Sequence, residues 1–345
     1  MNKASNAVLA KARTKYGKRL RANDYSNLIS CSTNSEIANY LKTKTVYSKI
    51  FAAPFNITDI TAEIIEFNLN KYLDESIEEI CRFENTINDD FFSYFVLKSD
   101  MKVILSAARN LVSDYSRAFS FMPTDFFKKK SELKIKKLYE SSNAKELIKA
   151  LQRTKYSKIA KKFIGEDNLF DFSKVEVLLY DYYATASKQL AQKFDKKTRK
   201  EFNQIIDLKI DNFNICYIYR QKNAGVDTDE ISKNIILEHG TIANSKLLDI
   251  LNAQNDHDFV ELVQTTKIGK GIKMEDLSYI EGVFEFNLWK INKHYLRFST
   301  NPNICVLAYI NLCMNEIKNV VHIVEGKRYN MSNDEIQKYL IGIDD

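Results

Sequence analysis

A short sequence pattern occurs three times in this chain, at intervals of about 110 residues. Each copy starts with a residue that favours the position just before a helix, which is Thr33, Asn143 or Asn255. An acid follows three residues later, where it can complete a capping box and faces the positive end of the helix dipole. Such a repeat constrains the fold more than composition does, because the same unit must then be built several times.

The three copies also end alike. Apolar residues spaced for one helical face lead to a threonine in each copy. The endings are Thr45-Val46-Tyr47, Thr154-Lys155-Tyr156 and Thr266-Lys267-Ile268. We expect each helix to end near its threonine, and the following Tyr or Ile to anchor the chain as it leaves the helix.

A second landmark follows each copy at a similar interval. It reads Glu66-Phe67-Asn68-Leu69 in the first copy and Glu285-Phe286-Asn287-Leu288 in the third, with Glu176-Val177-Leu178-Leu179 as a weaker middle version. Two landmarks in one register favour a true repeat over three unrelated amphipathic helices. The predicted units are residues 1–98, 99–207 and 208–345.

Glycine and proline are scarce, at 9 and 3 residues in a chain of 345. Both residue types interrupt helices, so their scarcity favours a nearly all-α chain. Alternating apolar and polar runs typical of strands are weak throughout the sequence. The prediction is an all-α fold made of three similar helical bundles.

The charge balance is mild, with 51 basic and 45 acidic residues and a net charge of +6. We expect these charges to be spread through all three units. The longest run of like charge is Lys128-Lys129-Lys130, which is expected to be a solvated helix end. A nucleic-acid-binding protein needs a basic face, so this class ranks below protein-binding classes.

Residue patterns for catalysis or metal binding are missing from the sequence. None of the four histidines has metal-ligand spacing, and none of the five cysteines forms a Cys-x-x-Cys pair, which favours a reducing compartment. The Gly269-Lys270-Gly271 stretch lacks the spacing of a phosphate loop and is expected to be a solvated turn. We therefore predict no catalytic residue, no cofactor and no metal ligand, and an enzyme is the last choice.

Membrane association is predicted to be peripheral. Residues 1–30 carry basic residues without the apolar core of a secretory signal. The longest apolar run, from Cys305 to Ile310, is far shorter than a membrane span.

Several motifs, in their order and spacing, resemble one family. These are the opening Asp24-Tyr25-Ser26-Asn27-Leu28, the three threonine endings, the stretch from Asp211 to Arg220, and the late motifs Pro302-Asn303-Ile304 and Asn315-Glu316-Ile317. Together they are similar to the central-stalk subunit of V-type and A-type rotary ATPases, which is named C in prokaryotes and d in eukaryotes. The resemblance covers almost the whole chain.

Two positions depart from that family's pattern. Asn319 is followed by Val320-Val321 where the prokaryotic proteins usually have Leu-Arg, and the third copy has Ile268-Gly269 in place of Tyr-Ser. A contact supplied by the missing arginine cannot be carried over to this chain.

The resemblance implies a funnel of three similar helical bundles around a pseudo-threefold axis. It implies a non-catalytic rotor subunit without cofactors, which joins the central shaft to the membrane-embedded, ion-carrying ring and transmits torque. The implied location is peripheral, at the cytoplasmic face of the membrane. The implied partners are the shaft subunits and the rotor ring, with the peripheral stalk or a membrane stator subunit as a further candidate and no nucleic acid.

The middle copy supplies the candidate site residues. Leu147, Ile148 and Leu151 share one helical face and are expected to hold the middle bundle together. Lys155 and Lys158 follow the helix and are candidates for contact with the shaft or the ring, with simple solvation as the alternative. The repeat by itself would also support a helical-repeat scaffold that binds other proteins.

Overall fold

The computed structural model describes residues 6–51, 60–83, 90–112, 121–164 and 170–343. Within these ranges the ordered elements are helices, with no β-strand and one isolated antiparallel bridge between Ile164 and Phe170. The predicted all-α class is confirmed.

The helices of the described ranges follow one another closely, and two short 3₁₀ segments join them at Val46–Lys49 and Met274–Tyr279. In chain order the helices are α1 (Asn6–Gly17), α2 (Ala22–Ser30), α3 (Asn34–Lys44), α4 (Ala62–Phe83), α5 (Asp90–Arg109), α6 (Asp125–Lys130), α7 (Ile135–Tyr139), α8 (Ala144–Leu151), α9 (Ser157–Ala160), α10 (Phe172–Ala191), α11 (Lys196–Asn223), α12 (Thr228–Lys233), α13 (Asn244–Leu251), α14 (Asp256–Gln264), α15 (Ile280–Phe298), α16 (Pro302–Arg328) and α17 (Asn333–Lys338).

The chain divides into two compact units. Unit 1 comprises Met1–Phe92, Met122–Phe127 and Trp289–Asp345, and unit 2 comprises Ser93–Phe121 and Lys128–Leu288. Unit 1 contains the first copy of the repeat, and unit 2 contains the second and third copies. The division into three units remains a prediction.

The core of unit 1 is built around α16. Asn301 caps this helix by accepting hydrogen bonds from the N–H groups of Asn303 and Ile304, and Pro302 occupies the first turn, where it costs no backbone bond. Helices α1, α2, α4 and α17 pack on α16. By length and composition α16 could cross a membrane, but 67% of its most apolar window is buried inside the protein. This burial is what the core helix of a folded unit shows.

A glycine near the end of a helix is typical of a cap, but Gly326 does not end α16. The helix continues to Arg328, Tyr329 caps it, and Asn330 adopts the left-handed conformation with φ 56°. Gly326 is instead buried within the helix, where an added Cβ would lie 2.5 Å from Cγ1 of Ile336 in α17. Glycine is required here because α17 packs directly on the backbone of α16.

Unit 2 is built around the long helices α10 and α11, which pack on each other. Tyr183 of α10 is buried, and its hydroxyl lies 2.6 Å from the hydroxyl of Tyr94 in α5. The ring of Tyr180 stacks on Phe213 with centroids 4.2 Å apart. Tyr180 and Tyr183 of α10 therefore serve the packing of unit 2.

One boundary in unit 2 differs from expectation. The sequence predicts that the helix beginning after Asp227 runs to Gly240, but α12 ends at Lys233. Gly240 has φ +100° and lies against Asp211, so it belongs to the segment that leads into α13.

Candidate functional site

The three repeat helices α3, α8 and α14 are capped in the same way. The side-chain oxygens of Thr33, Asn143 and Asn255 each accept a hydrogen bond from the N–H three residues later, at 3.2, 3.0 and 2.9 Å. Each bond satisfies one of the N–H groups that the first turn of a helix leaves unpaired. The predicted caps are confirmed.

The acids three residues after the caps also accept hydrogen bonds at the start of each helix. The Glu36 carboxylate accepts from the N–H of Ser32 at 2.6 Å, and the Glu146 carboxylate accepts from the N–H of Ser142 at 2.8 Å. Both bonds reach the residue before the cap, one position further back than in a standard capping box. The shorter Asp258 of the third copy accepts from the side chain of its own cap residue at 3.1 Å.

The threonine endings are also repeated. The Thr45 hydroxyl donates to the carbonyl of Leu41 at 2.6 Å and accepts from the N–H of Tyr47 at 3.2 Å. Thr154 likewise donates back to its helix, at 2.8 Å, and accepts from the N–H two residues later, at 3.2 Å. Thr266 also donates back to its helix, at 2.7 Å, but accepts from the N–H three residues later, at 3.0 Å. Each threonine thus pairs a terminal helix carbonyl and turns the chain out of the helix.

Beyond these threonines, the first two copies place a tyrosine against a carboxylate. Tyr47 is 1% exposed, and its hydroxyl donates to the Glu316 carboxylate of α16. Tyr156 is fully buried, and its hydroxyl donates to the Asp100 carboxylate of α5 at 2.8 Å. The third copy has Ile268, which is buried but cannot donate. The predicted anchoring by Tyr or Ile is confirmed, with a polar bond in two copies and apolar packing in the third.

The same two acids also hold the segment that precedes the neighbouring helix. Glu316 accepts from the N–H of Leu20 at 2.8 Å, just before α2. Asp100 accepts from the hydroxyl of Ser131 at 2.5 Å, and this hydroxyl accepts from the N–H of Leu133, just before α7. Each acid therefore joins the start of one helix and the end of the next to a long helix from elsewhere in the same unit.

The third copy keeps half of this arrangement. Asp211 of α11 is 1% exposed and accepts from the N–H and hydroxyl of Thr241 at 2.9 and 2.6 Å, and from the N–H of Ile242 at 3.2 Å. These residues stand just before α13. Asp100, Asp211 and Glu316 are thus equivalent members of the repeat, and we call them the anchor acids.

Burial raises the pKa of each anchor acid, although hydrogen bonds to the charged form oppose the shift. Desolvation raises the pKa of Asp100 against the bonds from Ser131 and Tyr156, and raises that of Asp211 against the bonds from Thr241. Burial raises the pKa of Glu316 to about 7, against the bonds from Tyr47 and Leu20. These acids hold chain segments together through hydrogen bonds.

An asparagine three residues after the anchor acid gives a second equivalent contact. The amide of Asn214 donates to the carbonyl of Ile236 at 2.8 Å and accepts from its N–H at 3.0 Å. The amide of Asn319 does the same with Ile341, at 2.8 and 2.9 Å. The middle copy has Val103 at this position. The acid-x-x-Asn pattern is visible in the sequence at both places and could have marked these residues as equivalent.

The two candidate interface lysines lie in different surroundings. Lys155 is exposed, yet its ammonium lies 3.5 Å from the Asp100 carboxylate and 5.2 Å from the ring centroid of Tyr156. It therefore adds a cation to the anchor of the middle copy. Lys158 is exposed in α9. Contact of either lysine with a partner remains a prediction.

Exposed basic side chains are concentrated in one segment, which corrects the expectation that charge is spread through the units. Residues 128–162 contain thirteen basic and three acidic residues, a net charge of +10. The whole chain carries +6, so the remainder is net −4. All thirteen basic residues are exposed, and we call them the basic face: Lys128, Lys129, Lys130, Lys134, Lys136, Lys137, Lys145, Lys149, Arg153, Lys155, Lys158, Lys161 and Lys162.

No group of three or more His, Cys, Asp or Glu side chains in the described ranges could hold a metal ion. The turn at Gly269-Lys270-Gly271 leaves Lys270 and Gly271 exposed, while Gly269 is buried against Val263.

The family model described as "ATP synthase (C/AC39) subunit" matches residues 8–339. The chain belongs to the ATP synthase (C/AC39) subunit family. The match includes all three repeat helices and all three anchor acids, so the family relationship extends over the repeat as well as over the late motifs.

Three C subunits of A-type ATP synthases are similar to this chain at low sequence identity. The C subunit of the A-type ATP synthase of Methanocaldococcus jannaschii is 24% identical over 220 residues, which cover 61% of this chain and 55% of that protein. Its counterpart in Methanococcoides burtonii is 28% identical over 215 residues, which cover 59% of this chain and 57% of that protein. Against these two relatives the chain spans little more than half their length. The counterpart in Methanosphaera stadtmanae is 22% identical over an alignment of 355 residues, which covers 96% of this chain and 86% of that protein.

Proposed function

We propose that this protein is a rotor-stalk subunit of an A/V-type rotary ATPase, a socket that joins the central shaft to the membrane-embedded, ion-carrying ring. The observation that carries the proposal is the family match over residues 8–339. The relatives named above are C subunits of A-type ATP synthases, and the proposal gives this chain the corresponding place in its own complex.

The anchor acids support a mechanical role. Torque passes through a body only if its parts do not yield, and helices joined by packed side chains and satisfied buried polar bonds form a stiff body. Asp100, Asp211 and Glu316 each tie the start of a short helix to a long one, and two of them also tie the end of a repeat helix. In the proposed funnel, three such bundles surround a pseudo-threefold axis.

In this proposal the chain performs no bond chemistry and transmits torque between the central shaft and the ring. Its partners are the shaft subunits and the rotor ring, with a peripheral-stalk or membrane stator subunit as a further contact. The protein sits peripherally at the cytoplasmic face of the membrane. ATP hydrolysis and ion movement occur in other subunits and depend on this one for their coupling.

The test is depletion of the chain from cells that contain the complex, followed by purification of the ATPase through a tagged head subunit. We expect the tagged head to hydrolyse ATP but to lose the rotor ring and ATP-driven ion transport, and the restored chain to recover both. Retention of ring and transport without the chain would contradict the proposal. Addition of an unrelated helical protein at the same level controls for expression effects.

A further inference from the structure

We propose that the basic face docks on an anionic lipid surface, so that the middle copy of the repeat rests against the headgroup layer beside the ring. This inference depends on the proposed membrane location and assigns the basic face a partner of its own. The first observation is the charge of +10 within residues 128–162. The corresponding stretch of the first copy, residues 18–52, carries +4, and that of the third copy, residues 240–274, carries 0.

The shape of the segment presents the charges outward. Ile135 and Leu138 of α7 and Leu147 and Leu151 of α8 are buried, so these short helices turn their apolar sides inward. Lys136 and Lys137 of α7 and Lys145 and Lys149 of α8 are exposed. The resulting outer surface carries basic side chains on successive short helices, which suits a broad anionic surface better than a narrow pocket.

The three acids of the segment are engaged within the protein. Glu132 accepts a hydrogen bond from the backbone N–H of Lys155 at 2.9 Å, and Glu146 accepts from the N–H of Ser142 at 2.8 Å. Glu140 lies 3.7 Å from the ammonium of Lys136 one helical turn away. These three acids offset only three of the thirteen positive charges of the segment, which leaves its net charge of +10.

The composition of the face favours lipid headgroups over a protein or nucleic acid. Twelve of its thirteen basic residues are lysines, which attract anions as point charges, whereas bidentate recognition of carboxylates and bases uses arginine. Protein interfaces are depleted in lysine and rely on buried aromatic or apolar anchors. The exposed large apolar side chains of the described chain all lie outside residues 128–162. A dense lysine surface is the form that binds anionic membranes electrostatically.

The experiment measures binding of the purified full chain to vesicles by co-sedimentation. We compare phosphatidylcholine vesicles with vesicles that contain about one third phosphatidylglycerol, at salt from about 0.05 to 0.5 M. We expect binding to the anionic vesicles only, and loss of that binding as salt rises, because screening shortens the range of the attraction.

A matched pair of variants separates the basic face from overall charge. Lys137→Glu/Lys145→Glu/Lys149→Glu changes the face, and Lys246→Glu/Lys267→Glu/Lys270→Glu changes the third copy by the same charge. We expect the first variant to bind anionic vesicles at least about tenfold more weakly and the second to bind within about twofold of the original chain. Circular dichroism and the melting temperature check that both variants fold, and single substitutions replace a triple variant that does not.

Three outcomes would overturn the inference: no binding to anionic vesicles at low salt, equal weakening in both variants, or displacement from vesicles by RNA at matched phosphate concentration. The proposed function is tested separately by the depletion experiment, in which the restored chain should co-purify with the tagged head subunit. A chain that co-purifies but does not bind vesicles would refute only the lipid contact. A chain that binds vesicles but never co-purifies would refute the place in the rotary complex, and with it the position beside the ring, but not the lipid contact.

Discussion

The hydroxyl of Tyr47 donates a hydrogen bond to the carboxylate of Glu316, 269 residues further along the chain. Tyr47 follows the first repeat helix, and Glu316 lies in the long core helix of the same unit. The corresponding bond of the middle copy joins Tyr156 to Asp100, which comes earlier in the chain than its tyrosine. The two bonds are equivalent in structure. The acid follows its tyrosine in the sequence in the first copy and precedes it in the middle copy.

Glu316 should make the stability of unit 1 depend on pH. Its pKa is raised from an ordinary 4.5 to about 7 by burial, so the folded chain keeps this proton up to higher pH than the unfolded chain does. Stability should therefore fall as pH rises from about 4.5 to 7, with a slope of up to about 1.4 kcal/mol per pH unit from this group. Denaturant unfolding at a series of pH values measures this change in the free energy of unfolding.

Glu316→Gln should flatten that slope, since the side chain can no longer lose a proton. Glu335→Gln is the control, because hydrogen bonds from Ser332 lower the pKa of Glu335 and its contribution is lost only as pH falls. An unchanged slope in Glu316→Gln between pH 4.5 and 7 would remove Glu316 as the cause.

The hydroxyl of Tyr156 should stabilise the fold in addition to the packing of its ring. Tyr156→Phe keeps the ring but takes one donor from the buried Asp100, so it should cost about 1.5–3 kcal/mol of unfolding free energy. Tyr329 is 67% exposed, and Tyr329→Phe should change that free energy by no more than about 0.5 kcal/mol. Equal effects of the two substitutions would show that the Tyr156–Asp100 bond adds nothing.

The apolar face of α8 should hold the middle copy together. Leu147 and Leu151 are fully buried and Ile148 is half-buried, so Leu151→Ala should lower the free energy of unfolding by about 2–5 kcal/mol. Asn143→Ala removes only the cap and should cost about 1 kcal/mol. Lys149→Ala on the exposed side of α8 serves as the control. A larger loss of unfolding free energy in Asn143→Ala than in Leu151→Ala would contradict this prediction.

Charge reversal should affect the melting temperature differently at the two candidate interface lysines. Lys158→Glu should leave the melting temperature nearly unchanged, whereas Lys155→Glu should lower it, because a second carboxylate would then face Asp100. If these lysines meet the shaft or the ring, both variants should weaken assembly, more strongly at low salt. Binding of Lys158→Glu to both partners with normal affinity at low salt would exclude Lys158 from the interface.

The repeat should also be visible in three dimensions. We expect α3, α8 and α14, each with its cap and its threonine, to superpose by rotations of about a third of a turn around one axis. An experimental structure of the assembled complex would measure these rotations. Copies stacked along a line would instead favour a helical-repeat scaffold.

The sequence was most informative where a contact is local. The caps at Asn143 and Asn255 and the turns at Thr45 and Thr154 depend on residues within a few positions, so side-chain chemistry and spacing were sufficient to predict them. The charge of residues 128–162 could also have been counted from the sequence, but the net value for the whole chain conceals it.

The anchor acids were missed because their contacts are long-range. Asp100 was not among the candidates, and Glu316 was noted only within a family motif. Nothing in the local pattern shows which helix face will meet Tyr47 or Tyr156, since that depends on tertiary packing. Gly326 illustrates the same limit: a glycine near a helix end is typical of a cap, but here the packing of Ile336 requires it.

Unit 1 combines Met1–Phe92 with Trp289–Asp345, whereas all of unit 2 lies between these segments. During synthesis the first segment must therefore wait for roughly 200 further residues, or about 10–40 s at ordinary rates of translation, before α16 can cover it. Until then Tyr47 lacks its Glu316 partner, and the sides of α1 and α4 that pack on α16 remain uncovered. Of the two units, the one that holds the first copy of the repeat is therefore completed last on the ribosome, and we expect it to be the more prone to misfolding during synthesis.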